Sequence, residues 1–195
     1  SGALRWRYET AGCVYASPTI WNGRVYIGSA DGYAYCLDAG SGALLWRFRA
    51  APFHRRIMIY DHLCSTWPVA TGVLVQDGVA YFAAGGFAID ATHVYALNAE
   101  TGAIVWQNNS SAFQDADDHM GPGVYGGLTV AAGKLWMCAG QQYSPASFNL
   151  AHGAYDTIPS GQMQYVRDGQ TLRGCEIGAF SNFIISGGVM LNRDE

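Results

Sequence analysis

Charge is scarce in this 195-residue chain. Only 13 % of its residues are Asp, Glu, Lys or Arg, and the formal net charge is −4. No basic stripe interleaved with aromatics occurs, which argues against nucleic acid as a partner. Half of the residues are hydrophobic, yet no apolar run reaches the roughly 18 residues that a membrane helix needs. The start, Ser1-Gly2-Ala3, lacks a charged-then-apolar pattern, so any targeting peptide is missing or already removed. The five cysteines (Cys13, Cys36, Cys64, Cys138 and Cys175) include no CxxC pair. That spacing excludes the usual zinc sites, and no metal ligand set is assigned. Cys36 and Cys138 lie in apolar, strand-like runs and are expected to be small buried thiols. The odd count leaves disulfide pairing open.

Glycine is abundant (25 residues), and aromatics make up 13 % of the chain. With Val, Ile, Thr and Tyr runs, this composition predicts many short strands joined by tight turns. Internal repeats give the pattern its order. Gly2-Ala-Leu-Arg-Trp6, Gly42-Ala-Leu-Leu-Trp46 and Gly102-Ala-Ile-Val-Trp106 align without gaps. Two of them are preceded by Tyr35-Cys-Leu-Asp-Ala-Gly-Ser-Gly42 and Tyr95-Ala-Leu-Asn-Ala-Glu-Thr-Gly102, and a weaker copy reads Phe148-Asn-Leu-Ala-His-Gly153. Each copy predicts a strand, a turn opened by Asp or Asn and closed by glycine, and a second strand. The Asx side chain bonds backbone two residues on, and glycine takes the positive φ that closes the turn.

A second set of segments lies between these. Ser17 to Gly23, Gly72 to Gly78, Gly127 to Gly133 and Ser181 to Gly187 each span six residues, with Asn-Gly, Asp-Gly, Ala-Gly or Ser-Gly at a predicted hairpin turn. With the hairpin strands named A and B and the Asx-turn strands C and D, the chain reads D, ABCD, ABCD, ABC(D), AB. Four antiparallel strands per repeat of about 40–60 residues predict an all-β fold, a β-propeller of four-stranded antiparallel blades. About 3.5–4 blades are expected, a partial propeller: a blade end at 1–8, blades at 11–50, 66–108 and 122–160, and a half blade at 175–195.

Leu37 to Trp46 and Leu97 to Trp106 also resemble the tryptophan-docking motif of the PQQ-like repeat family, the quinoprotein dehydrogenases and their non-enzymatic relatives. The resemblance implies that Trp6, Trp46 and Trp106 each pack on the glycine turn of a neighbouring blade, with Gly42 and Gly102 in those turns. Thr157 stands where the third repeat would carry its tryptophan. The resemblance also implies a periplasmic or extracellular location.

Loop lengths separate two faces. The A–B and C–D turns keep one length throughout, whereas all variation falls in the D–A and B–C connections. From docking tryptophan to the next small residue the D–A path is 11 residues (6 to 17), then 26 (46 to 72), then 21 (106 to 127). The second B–C connection is also extended, around Gly85–Thr92. Variable loops on a rigid scaffold are where function concentrates. Candidate ligand-binding residues on this elaborated face are His54, Arg55, Arg56, Asp61 and His62 in the first long loop, and Asp117, Asp118 and His119 in the second. Paired arginines suit a carboxylate or phosphate, and Asp117-Asp118-His119 offers oxygen and nitrogen to a cation. The plainer alternative is solvated loop charge, or arginines bridged to neighbouring acids. His93 and His152 are expected to be structural, and Tyr15, Tyr26, Tyr81 and Trp136 to be inter-blade core.

These features favour a non-catalytic binding or scaffold module, with a protein or small molecule on the D–A/B–C face and no catalytic residue assigned. The alternative implied by the resemblance is part of a PQQ-dependent dehydrogenase, whose members hold the quinone over the propeller axis with calcium, an aspartate base and often adjacent cysteines. No cysteines are adjacent here, and no acid matches the base. An incomplete ring exposes strand edges and an apolar blade face. Either further blades of a parent chain or a second copy in a homodimer is expected to cover them.

Overall fold

A computed structural model of the chain describes residues 2–59, 61–86, 90–111, 121–139, 143–156, 166–167, 170–171, 175–186 and 189–192. The described residues form strands and turns, apart from a single 3-10 residue at Asp90. The first blade is a four-stranded meander of β1 (Thr19–Trp21), β2 (Arg24–Gly28), β3 (Tyr33–Asp38) and β4 (Leu44–Arg49). A two-stranded excursion follows, β5 (Arg56–Ile59) and β6 (His62–Ser65). The second blade is β7 (Leu74–Gln76), β8 (Val79–Ala84), β9 (His93–Asn98) and β10 (Ile104–Asn108). The third has β11 (Leu128–Ala131), β12 (Lys134–Met137) and β13 (Ala146–Asn149), with an isolated bridge between Tyr155 and Phe148. A short pair, β14 (Val166–Arg167) and β15 (Gln170–Thr171), precedes the last sheet. That sheet is β16 (Ile177–Phe180), β17 (Phe183–Ser186) and β18 (Val189–Asn192). The fold is an all-β partial propeller of antiparallel blades.

The fourth repeat corrects the sequence reading. Its hairpin turn is Ser181-Asn182 rather than Ser186-Gly187, and three strands are present rather than two. Ser181 has φ 51, matching Asn22 (45), Asp77 (49) and Ala132 (51) at the same turn position of the other blades. Asparagine occupies the second turn position where the others have glycine, so the turn lacks the residue that marks it in the other repeats. In the corrected register Asn192 stands level with Asp38.

Alternation within the strands builds two inter-blade cores and a third where Val25, Ile27, Tyr35 and Leu37 on the first blade's other side lie under Trp6 and Tyr8. Tyr26, Ala34 and Cys36 on one side of the first blade meet Ala80, Phe82, Tyr95 and Leu97 of the second. Tyr81, Ala83, Val94 and Trp106 on the second blade's other side meet Leu135, Met137 and Phe148 of the third. The A strands lie side by side, β1 beside β7, β7 beside β11 and β11 beside β16. Small residues permit that crowding: a Cβ on Gly126 would overlap the Cys175 backbone, and one on Gly72 would stand 2.7 Å from Ala16. Cys36 and Cys138 are fully buried, as are Tyr26 and, nearly, Tyr81. Tyr15 departs from expectation. It precedes β1, is 59 % exposed, and lies by Cys64 rather than between blades.

Candidate functional site

The two ends of the blades are built differently. On the clipped face, Asp38 Oδ1 accepts the backbone N–H of Gly40 (3.1 Å) and Ser41 (2.7 Å), and Asn98 Oδ1 does the same for Glu100 (3.0 Å) and Thr101 (2.9 Å). Four residues after each Asx, Gly42, Gly102 and Gly153 adopt φ of 74, 73 and 72. The Trp6 indole donates to Ala39 O of the first blade (2.9 Å), Trp46 to Ala99 O of the second (3.0 Å) and Trp106 to Leu150 O of the third (2.8 Å). Each ring lies where a Cβ on Gly42, Gly102 or Gly153 would go. A bulge in each complete D strand, after Leu44 and after Ile104, re-aims the tryptophan toward the next blade. The weak third copy thus supplies a docking glycine, Gly153, that its sequence context concealed. Thr157 lies outside the described residues.

On the elaborated face two connections meet at Trp67 and a third is tied to the second of them. The Arg55 guanidinium lies over its ring (5.0 Å to the centroid), Phe53 is tilted against it (6.1 Å) and His93 meets it edge-on (6.4 Å). The Trp67 indole donates to the carbonyl of Asp90, whose carboxylate pairs with Arg55. Arg55 Nε donates to Thr66 Oγ1 (3.0 Å). Thr92 donates to Pro122 O (2.6 Å), joining the third connection to the second. Burial lowers the His93 pKa below the ordinary histidine value, and pushes Tyr95, on which its ring stacks, up to about 12. Nearby, a hydrogen bond to Cys64, then burial, raises Tyr15 to about 12.

The predicted residues divide accordingly. Arg55 is committed to Asp90, Thr66 and Trp67. His54 Nε2 lies 3.2 Å from Arg49 Nη1. Arg56, Asp61 and His62 are exposed on the β5–β6 hairpin, with Asp61 at its turn (φ 63). Asp117, Asp118 and His119 lie outside the described residues. Trp67, Phe53 and Asp90 organise the face but carried no repeat signal, because insertions have no counterpart to align with. His152 Nδ1 accepts from Ala154 N (3.3 Å), a turn contact.

A quinone held with calcium would require convergent carboxylates. Among the described residues no three His, Cys, Asp or Glu side chains converge. Asp90 is engaged by Arg55, and Asp31 by Tyr35 OH (2.6 Å) and the N–H groups of Ala11 and Tyr33. The described residues therefore do not fit that pair of groups. No helix among them is long and apolar enough to cross a membrane.

Comparison with known proteins agrees with the fold and divides on activity. Residues 1–55 and 30–154 match the family described as outer membrane protein assembly factor BamB. Over 124 residues the chain is 34 % identical to the alcohol dehydrogenase (quinone), dehydrogenase subunit, of Gluconobacter oxydans (strain 621H); this covers 55 % of the chain and only 15 % of that relative. In three dimensions it resembles BamB from Moraxella catarrhalis (TM-score 0.58, 18 % identity), covering 98 % of this chain and 49 % of that one. It also resembles the computationally designed Ika4 protein (TM-score 0.60, 12 % identity), covering 95 % and 92 %.

Proposed function

The chain belongs to the PQQ-like β-propeller repeat family, that of the outer membrane protein assembly factor BamB, and from this premise we propose that it is a non-catalytic module that binds an extended protein segment in the periplasm or outside the cell. The observation that carries the proposal is the β5–β6 hairpin. It projects from the elaborated face, anchored through Arg55, Thr66 and Trp67, while Phe53, Met58 and Leu63 are exposed. Met58 and Leu63 are cross-strand partners, so they share one outward face. A rigidly based two-stranded ribbon with apolar tips suits an extended partner, whose alternate side chains can use that face. The solvated Arg56 and His62 provide its polar rim.

Binding of a labelled amphipathic strand peptide, followed by fluorescence anisotropy, tests this reading. The double substitution Met58→Asp and Leu63→Asp is expected to weaken binding at least tenfold, since burying each side chain contributes about 1.5–3 kcal/mol. Unchanged affinity overturns it. A second reading, a segment of a quinone-dependent alcohol dehydrogenase, is favoured by the 34 % identity to such a subunit. Dye-linked alcohol oxidation after adding pyrroloquinoline quinone and calcium would establish that reading in place of the first.

A further inference from the structure

Two of the five cysteines meet at one tyrosine. Cys13 lies in the segment before β1 and Cys64 in β6, and both are free thiols. The Tyr15 hydroxyl stands 3.8 Å from Cys64 Sγ. A hydrogen bond to Cys64, then burial, then the Cys13 thiol raise the pKa of that hydroxyl to about 12, so both sulfurs lie within its reach. The backbone also ties the two segments to a single residue. Cys13 O accepts the N–H of Ala30 (2.8 Å), and the N–H of Ser65, next to Cys64, donates to Ala30 O (2.7 Å). Ala11 N donates to Asp31 Oδ2 (3.0 Å), and a Cβ on Gly12 would overlap Asp31 N. The segment leading to Cys13 is thus pressed onto the same B–C turn.

The remaining cysteines do not share that setting. Cys36 is fully buried between the first and second blades, and burial pushes its thiol pKa up. Cys138 is equally buried, with Sγ 3.3 Å from Glu176 O and 3.7 Å from Ser186 Oγ. Cys175 is exposed. Cys13, by contrast, is half-buried and open to a reagent, whereas Cys64 is only 1 % exposed. The side chain beside Cys64, Tyr15, is 59 % exposed and belongs to none of the three cores. It can turn outward without opening them.

We propose that Cys13 and Cys64 form a disulfide that fastens the β5–β6 hairpin to the segment before β1. The oxidant is a low-molecular-weight disulfide. The accessible Cys13, as thiolate, attacks one sulfur of that disulfide and expels the other half as a thiolate. Cys64, as thiolate, then attacks the Cys13 sulfur of the mixed disulfide and expels the second half. The two protons lost by the cysteines go to the two expelled thiolates, and two electrons pass from the cysteine pair to the oxidant. Tyr15 stays protonated near pH 8.5, about where thiols ionise, and so donates to the Cys64 sulfur as charge develops on it. The bond closes a loop from residue 13 to residue 64 that encloses the whole first blade. Cys64 and its neighbour Leu63 point to opposite sides of β6, so the bond leaves the outward face of Met58 and Leu63 clear. The linkage stands whatever that face binds.

Incubation of the full chain with mixtures of oxidised and reduced glutathione, then alkylation and peptide mapping without reduction, tests the proposal. Trypsin places the five cysteines on separate peptides, because Arg24, Arg47, Lys134 and Arg173 stand between them. The expected product links peptide 8–24 to peptide 57–134. The linked chain should melt about 5–15 °C above the reduced one. Cys13→Ser, at a half-buried position, is expected to abolish both the linkage and that shift. Cys64→Ser should leave Cys13 as a mixed disulfide with glutathione, trapping the first step. Alkylation of both Cys13 and Cys64 at every glutathione ratio overturns the proposal. So does a linkage that joins Cys138 to Cys175 in its place, or a linked chain that melts no higher than the reduced one.

Discussion

The clipped and elaborated faces of the propeller carry loops of the same blades under different physical constraints. On the clipped face each C–D turn does two jobs. Its Asx and glycine close the chain within a blade, and its carbonyl and exposed glycine receive the tryptophan of the preceding blade. A turn so doubly engaged cannot lengthen without losing the inter-blade contact, which accounts for its constant length. On the elaborated face the first B–C turn closes on itself through Asp31 and Gly32, and the longer connections fasten to one another at Trp67 and at Thr92. Only their fastening points are constrained, so the residues between them are free to vary. The clipped face holds the blades together; the other can diversify without disturbing it.

The largest effect expected from breaking this contrast is at Gly153. Gly153→Val would force a branched side chain into the left-handed region and into the Trp106 ring. It should cost about 3 kcal/mol or more in denaturant unfolding. Smaller is Asn98→Ala, which removes the acceptor of two turn N–H groups and should cost about 1 kcal/mol. Smaller still is Met58→Asp, which should leave stability within about 0.5 kcal/mol while weakening peptide binding, since the side chain faces solvent.

Acid should separate the faces by pH. His93 has its pKa lowered by burial, so the unfolded chain takes up a proton first. Stability should be lost as pH falls below about 6.5, and His93→Phe should flatten that limb. Asp38 has its pKa lowered chiefly by its bond to Ser41. Its contribution is present above about pH 4 and lost as pH falls through the folded value, a loss that Asp38→Asn should remove. Thermal melts between pH 7 and pH 3 distinguish the two limbs.

Legibility in the sequence followed repetition. Asp38, Asn98 and Asn149 could be aligned because each turn needs the same Asx acceptor and the same glycine, and Trp6, Trp46 and Trp106 because each fills the same notch. Where the pattern tolerates a substitute the register is hidden: Ser181-Asn182 makes the turn without glycine, and the glycine spacing alone sets the fourth blade one strand out of frame. Arg55 and Arg56 are adjacent in sequence but part in the structure: Arg55, just before β5, pairs with Asp90, whereas Arg56 is exposed on the hairpin. Trp67 carries no sequence signal because nothing repeats it.

The sequence by itself determined the strand period, the blade register through three repeats, the docking tryptophans and which face varies in length. These are local or periodic properties, imposed by turn geometry and by a packing unit used again and again. Tertiary structure alone decided which insertion residues meet, that Arg55 is spent on Asp90 and Trp67, and that Ile20, Ile185 and Met190 are exposed. Such outcomes depend on contacts between segments far apart in the chain, where no repeated spacing records which surfaces come together.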